Sequence, residues 1–344
     1  MPYDVTIGIP VYNVERYIRE SLDSALAQSF SYIEFLICDD CGTDSSISIV
    51  QEYQKTHPRG KDIRIVRQPH NMGLGCARNR MIAEAKGRYI FFMDSDDLLS
   101  PNTIALMYEE AQKYDADMVF GSMEKVLLYN QGQHIKDTDY TYQVFLHENE
   151  FASWVYEKYD KIQVSTCNFL IKLNIFRQNG IQYKPINYWE DFTTTMDLPT
   201  YVTRVVMLPD VTYYYMCRSG SLSNYQRREH IQKEEILQTM KAVTMIKDNS
   251  ERIQSKPYFS KRMLKVMMTC FYVCCSILRN WKKIDPCFEK RELRDFMRYP
   301  LSFSNVLSFK SDRMNHLMLY ILGIVPASLS VSIMRIVGKM KHLI

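Results

Sequence analysis

Over its first 120 residues the chain alternates short, continuously apolar runs with stretches of helical periodicity. The apolar runs are residues 5–9, 33–38, 63–66, 89–93 and 118–120, each predicted as a strand. Between the first two, residues 15–27 put Tyr17, Ile18, Leu22 and Leu26 on one side of a predicted helix, and further helices are predicted over 45–53 and 76–85. Ser100-Pro101 reads as an N-cap and first-turn proline for a fourth helix through Tyr114. A strand that is apolar throughout is buried on both faces, and repeated strand–helix units built from such strands form a parallel sheet with helices on both sides. The predicted class is therefore α/β, a doubly wound and mostly parallel sheet.

That pattern does not continue. Residues 131–188 are irregular and rich in tyrosine, and helical patterns return over 230–247 and 257–281. The charge changes at about the same place. The net charge of the chain is +4, but residues 1–225 balance at −8 and residues 226–344 at +12, so the two parts suit different partners. Residues 317–334 hold no charged side chain, yet they contain Pro326 and three serines and precede Arg335, Lys339 and Lys341. This is short for a membrane span and fits a helical anchor lying on an anionic membrane surface, with Leu317, Leu319, Ile321, Leu322, Ile333 and Ile336 as its apolar side. Nucleic acid is not expected as a partner, because the basic residues are interspersed with acids and no recognition motif appears. No basic-then-apolar leader opens the sequence, and nine scattered cysteines without a Cys-x-x-Cys pair read as reduced thiols in a cytoplasmic protein. Cys270, Cys274 and Cys275 share part of a helix face but lack the spacing of a metal site.

In open parallel sheets ligands bind at the carboxyl ends of the strands, and acids collect there. The first strand runs into Pro10-Val11-Tyr12-Asn13, the second into Asp39-Asp40 and the turn Cys41-Gly42-Thr43-Asp44, and the fourth into Asp94-Ser95-Asp96-Asp97. Three carboxylates in four residues after an apolar strand are costly unless a cation neutralises them, and Mg²⁺ or Mn²⁺ carrying a diphosphate does so with few protein ligands. A second acidic pair, Glu190-Asp191, stands among aromatics in Tyr188-Trp189-Glu190-Asp191-Phe192.

With Asn71-x-Gly73 and Ala77-Arg78-Asn79, these motifs fall in the order and spacing of glycosyltransferase family 2, and residues 4–220 resemble that family, of the inverting type that builds bacterial surface polysaccharides. Cys41 and Gly42 depart from it, standing where glycine and serine are usual. The resemblance implies a GT-A catalytic domain over 1–225, its nucleotide-sugar half about 1–125 and its acceptor half about 126–225, with the basic helical region 226–344 as an addition. It implies a UDP-sugar donor in a cradle of Pro10, Val11, Tyr12 and Asn13, with Asp40 or Asp39 accepting the uracil N3–H. Asn71 and Gly73 shape the neighbouring loop, Arg78 faces the nucleotide, and Asn79 supports the same wall. Asp94, Ser95 and Asp96 form the DxD element, with Asp96 and then Asp94 as ligands of Mn²⁺ or Mg²⁺. Asp191, or less plausibly Glu190, is the general base for the acceptor hydroxyl. Trp189, Asp97 and Arg218 attend the sugar, the acceptor or the diphosphate, and the acceptor is a glycan, on a lipid carrier if the membrane anchor holds.

A nicotinamide-dependent oxidoreductase on a similar sheet needs a Gly-x-Gly-x-x-Gly turn after the first strand, and Pro10-Val11-Tyr12-Asn13 contains no glycine. Gly73-Leu74-Gly75 lacks the third glycine. A catalytically silent sugar- or membrane-binding scaffold of the same fold is the other alternative, and the intact acidic motifs weigh against it.

Overall fold

The computed structural model describes residues 3–130, 132–158, 164–186, 189–218 and 229–344. The chain forms two units, residues 1–151 with 160–220 and residues 152–159 with 221–344.

In the first unit, β1 (Val5–Val11), β2 (Ile33–Asp39), β3 (Ile63–Arg67) and β4 (Tyr89–Phe92) pair in parallel in the order β3-β2-β1-β4. Helices α1 (Ile18–Leu26), α2 (Ser46–Thr56) and α3 (Leu74–Glu84) connect them. Every residue of β1, β2 and β4 is buried, as their unbroken apolar runs require. Ile7, Ile9, Phe35, Ile37 and Phe91 pack there with Leu22, Ile104 and Met107. Because β2, β1 and β4 are parallel neighbours, their carboxyl ends lie side by side, and Val11 sits in register with Asp39.

Beyond β4 the chain departs from the predicted simple alternation. β5 (Leu98–Leu99), α4 (Thr103–Lys113) and β6 (Met118–Leu127) follow, but β6 does not pair with β4. The region expected to be irregular holds β7 (Gln133–Thr138), β8 (Gln143–Phe145), α5 (Glu150–Glu157), most of which belongs to the second unit, β9 (Phe169–Lys172) and α6 (Leu173–Gln178). β9 inserts antiparallel to both β4 and β6. α7 (Glu190–Thr195) and β10 (Val205–Cys217) complete the unit, β10 lying parallel to β6 and antiparallel to β5 and β8.

The expected cap of α4 is also corrected. Asn102 precedes the helix without a side-chain cap bond, and the Ser100 hydroxyl donates instead to the Val211 carbonyl at 2.6 Å. The serine thus joins the acidic turn's far side to β10.

The second unit is helical. β11 (Ile231–Gln232) pairs with β12 (Ile284–Asp285), and α8 (Lys233–Asn249), α9 (Phe259–Arg279), α10 (Lys290–Phe296), α11 (Phe303–Ser308), α12 (Arg313–Ile324) and α13 (Ala327–Met340) pack around a core of their own. Cys270, Cys274 and Cys275 lie inside it on α9, and burial pushes the Cys270 thiol up to about 11. Pro326 divides the uncharged stretch into α12 and α13, and among the described residues no helix is long and apolar enough to cross a membrane. Leu319 and Leu322, expected on an outward apolar face, are buried with Val331 and Met334.

Candidate active site

The carboxyl ends of β1 and β2 make a cradle of backbone. Pro10 and Val11 are buried as part of β1, and Tyr12 and Asn13 are exposed. Asn13 takes the left-handed conformation at φ 53°, and its Oδ1 accepts the Thr43 amide at 2.7 Å. A Cβ on Gly42 would stand 2.9 Å from both Asn13 N and Asn13 Oδ1, so the two loops approach too closely for the serine usual there. Cys41 has φ 60°, which explains why glycine is usual at its position. Asp39 Oδ1 accepts the Cys41 amide at 2.9 Å. Asp40 is buried, and its two oxygens accept the amides of Met72 and Gly73, each at 2.9 Å. Asn71 Oδ1 adds a bond to Gly73 N at 3.1 Å, and Gly73, at φ 84°, opens α3. Asp40 therefore anchors the second loop of the cradle, and any nucleobase contact uses a remaining lone pair.

Arg78 and Asn79 both reach residues far along the chain. Asn79 clamps the backbone of Tyr183, donating to its carbonyl and accepting its amide, both at 2.8 Å. Arg78, expected to face the nucleotide, is instead turned to carboxylates. Its side chain is 1% exposed and lies among acids. Nη1 donates to Glu190 Oε1 at 3.1 Å and to Asp191 Oδ1, and Nη2 to Asp94 Oδ1 at 3.3 Å. The guanidinium also lies 5.5 Å from the centre of the Tyr183 ring. One buried cation thus joins the acidic turn after β4 to the acid pair that opens α7. Trp189, at φ 63°, starts that helix and packs its ring edge-on to Phe192 at 5.0 Å. Thr166, which the sequence did not single out, completes the setting of Asp191. Its hydroxyl donates to Oδ1 at 2.8 Å and its amide to Oδ2 at 3.2 Å.

The acids after β4 divide in two. Asp97 is 1% exposed, with Oδ2 accepting the Tyr213 hydroxyl and Oδ1 the Met216 amide, each at 2.8 Å. Burial, then Asp94 and Asp96, push its carboxyl well above the usual range. Asp97 braces β10 against the turn rather than presenting a carboxylate to a sugar, and Ser95 is likewise buried. Asp94 and Asp96 are more open, their side chains 32% and 42% exposed. Arg218 binds Asp96 twice, through Oδ2 at 2.7 Å and the backbone carbonyl at 2.6 Å, while stacking 3.8 Å from the centre of the Tyr17 ring. Tyr188, which opens the motif around the acid pair, and residues 219–221, which follow Arg218, lie outside the described residues.

Among the described residues no three His, Cys, Asp or Glu side chains converge to hold a metal ion by themselves. Two half-open carboxylates instead suit Mg²⁺ or Mn²⁺, which take one or two carboxylates and complete their shell from phosphate and water.

A twisted α/β sheet with a backbone cradle, an acidic turn and an acid pair at the carboxyl ends of its strands defines a glycosyltransferase of the GT-A fold. Residues 6–180, 175 of the 344, match the family described as glycosyl transferase family 2, and the chain belongs to that family. It is 29% identical over 227 residues to the glycosyltransferase GlyA of Streptococcus pneumoniae, a match covering 64% of this chain and 31% of GlyA. It is 29% identical over 217 residues to the poly(ribitol-phosphate) beta-glucosyltransferase of Bacillus spizizenii, covering 62% of this chain and 32% of that protein. The chain thus spans about a third of each of these relatives. The fold resembles the crystal structure of S. aureus TarS 1-349 in complex with UDP-GlcNAc, with a TM-score of 0.58 at 17% identity over 92% of this chain and 90% of that one.

Burial and the adjacent Asp191 push the Glu190 carboxyl up from 4.5 to about 7, with Arg78 opposing. A carboxyl raised on folding adds stability that is fully present below its unfolded pKa and is lost as pH rises through the folded one. Glu190→Gln, neutral at every pH, should therefore gain thermal stability relative to the wild type between pH 5 and pH 8. Melting curves of both proteins across that range check this, and a pH-independent difference would show that Glu190 does not titrate there.

Proposed function

We propose that the protein transfers a sugar from a UDP-sugar to an acceptor hydroxyl with inversion at the anomeric carbon. The observation that carries the reading is the Arg78 cluster, which holds the acid pair 190–191 to the acidic turn beside the cradle. The likeness to a protein crystallised with UDP-GlcNAc supports the donor class. In this reading the loops 10–13 and 71–73 hold the nucleoside, and Asp40 or Asp39 accepts the N3–H of uracil, which cytosine lacks. Asp191 takes the proton of the acceptor hydroxyl. Its Oδ1 is held by Arg78 and the Thr166 hydroxyl, whereas among the described residues Oδ2 has only the longer bond from the Thr166 amide, so Oδ2 is the oxygen with electron density to spare. Trp189, half-buried beside the base, offers a face to the sugar. Mn²⁺ or Mg²⁺ bound at Asp96 and Asp94 would stabilise charge on the departing diphosphate. Alignment of donor and acceptor supplies much of the remaining acceleration.

The acceptor in this reading is a glycan of a cell-surface polymer, as the name of the poly(ribitol-phosphate) relative suggests, made at the cytoplasmic face of a membrane. The second unit supports attachment to an anionic lipid surface. Met314, Ile321 and Ile324 on α12 and Leu329, Ile336 and Met340 on α13 are exposed, at helical spacings, with Arg313, Arg335, Lys339 and Lys341 among them. Apolar insertion and attraction of about 1 kcal/mol per basic residue near the surface add together. Because Leu319, Leu322 and Met334 of the same helices are buried, truncation would expose the unit's core, and surface substitutions are the cleaner test. Wild-type protein should co-sediment with phosphatidylserine vesicles and release only partly in high salt. Ile321→Ser/Ile336→Ser/Met340→Ser should release fully, and equal sedimentation of the two would rule the anchor out.

Asp191→Asn should bind UDP-sugar as the wild type does and lose about 10²- to 10⁴-fold in single-turnover transfer, the usual contribution of a positioned base. Calorimetric donor binding and rapid-quench transfer separate the two effects. Weakened donor binding with unimpaired chemistry in the bound complex would remove Asp191 from the base role.

A further inference from the structure

Building on the proposed metal and diphosphate site, we infer that Arg218 is an internal counterion that keeps bare metal off Asp96 and yields only to a metal that arrives with a diphosphate. The guanidinium grips both the side chain and the backbone carbonyl of Asp96 and is backed by the Tyr17 ring. It is largely buried, whereas the carboxylate it holds is half-open.

A Mg²⁺ ion bonds a carboxylate oxygen at about 2.0–2.1 Å. With Arg218 Nη1 2.7 Å from Asp96 Oδ2, an ion on that oxygen would meet a second positive charge a few ångströms away. The two cations therefore compete for one carboxylate. Divalent metal alone must displace Arg218 from the Asp96 carboxylate and leave its charge without an anionic partner. Metal delivered with a nucleoside diphosphate brings phosphate oxygens, and a guanidinium pairs with phosphate as readily as with carboxylate, through the same planar fork. Arg218 then exchanges one anion for another. Its Nε, buried and without a partner among the described residues, is a further donor for such a ligand. When the diphosphate leaves, Asp96 regains its arginine and the metal loses its hold, so the same exchange assists product release.

The test reads Mn²⁺ binding directly, from the electron paramagnetic resonance signal of free Mn²⁺, with and without UDP. Wild-type protein should bind Mn²⁺ alone weakly and gain strongly from UDP. Arg218→Ala, and Arg218→Gln as a second uncharged variant, should bind Mn²⁺ alone about tenfold tighter, roughly 1.4 kcal/mol, and gain less from UDP. Arg218→Lys, which keeps the charge, should stay near the wild type. Uncharged variants that fold as the wild type does and bind Mn²⁺ alone no tighter would overturn the counterion role while leaving the metal site standing. Absence of Mn²⁺ binding by the wild type even with UDP would overturn the metal site itself, and this inference with it.

Discussion

A fully buried guanidinium is tolerated only where anions meet it, and Arg78 meets three: Asp94, Glu190 and Asp191. The dependence is mutual. Without the arginine, three carboxylates held this closely would repel one another in a poorly solvated place. Without the acids, the arginine would be an uncompensated internal charge, and breaking such a pair costs about 3–5 kcal/mol. Because the partners come from α3, the end of β4 and the start of α7, the ion cluster fixes where the late part of the first unit sits against the early part. The same contacts set the orientation of the acid pair, so the fold and the proposed chemistry share one anchor.

Carboxylates that look alike in sequence are thereby given different work. Asp97 is sealed under Tyr213 and Met216 and braces β10, while Asp96, one residue away, stays half-open beside Arg218. Glu190 is pushed toward its neutral form by burial and by its neighbour, and Asp191 keeps one oxygen lightly engaged beside Thr166. Asp40 is spent on the loop that frames the cradle. Environment, rather than residue type, separates the buried, fully bonded acids from the more open ones here.

The parts of this arrangement legible in the sequence are those with a local cause. β1, β2 and β4 announce themselves as apolar runs because both of their faces are buried, and the acids at their ends stand out for the same reason. β9 does not, because three apolar residues before a lysine fit a strand or a helix equally well and its antiparallel place between β4 and β6 is decided by distant contacts. β5 is too short to carry a period. Ser100 resembled a helix cap because a hydroxyl before proline usually is one, and a long-range bond to Val211 took it instead. Arg78 was recognisable as important, but its direction depends on partners more than a hundred residues away at 190 and 191. Thr166 left no signal, since a single threonine in an aperiodic stretch is unremarkable until its neighbour is known. The outward side of α12 and α13 was readable only in part, because the uncharged stretch hides which of its apolar residues turn inward.

The central claim is that the Arg78 cluster positions one carboxylate base for a single displacement at the anomeric carbon. Stereochemistry tests it most directly. A UDP-α-sugar that the protein turns over, followed by proton NMR with water as the acceptor and read before the free sugar mutarotates, should release the β anomer first. Initial release of the α anomer would contradict a single displacement and with it the assignment of the acid pair.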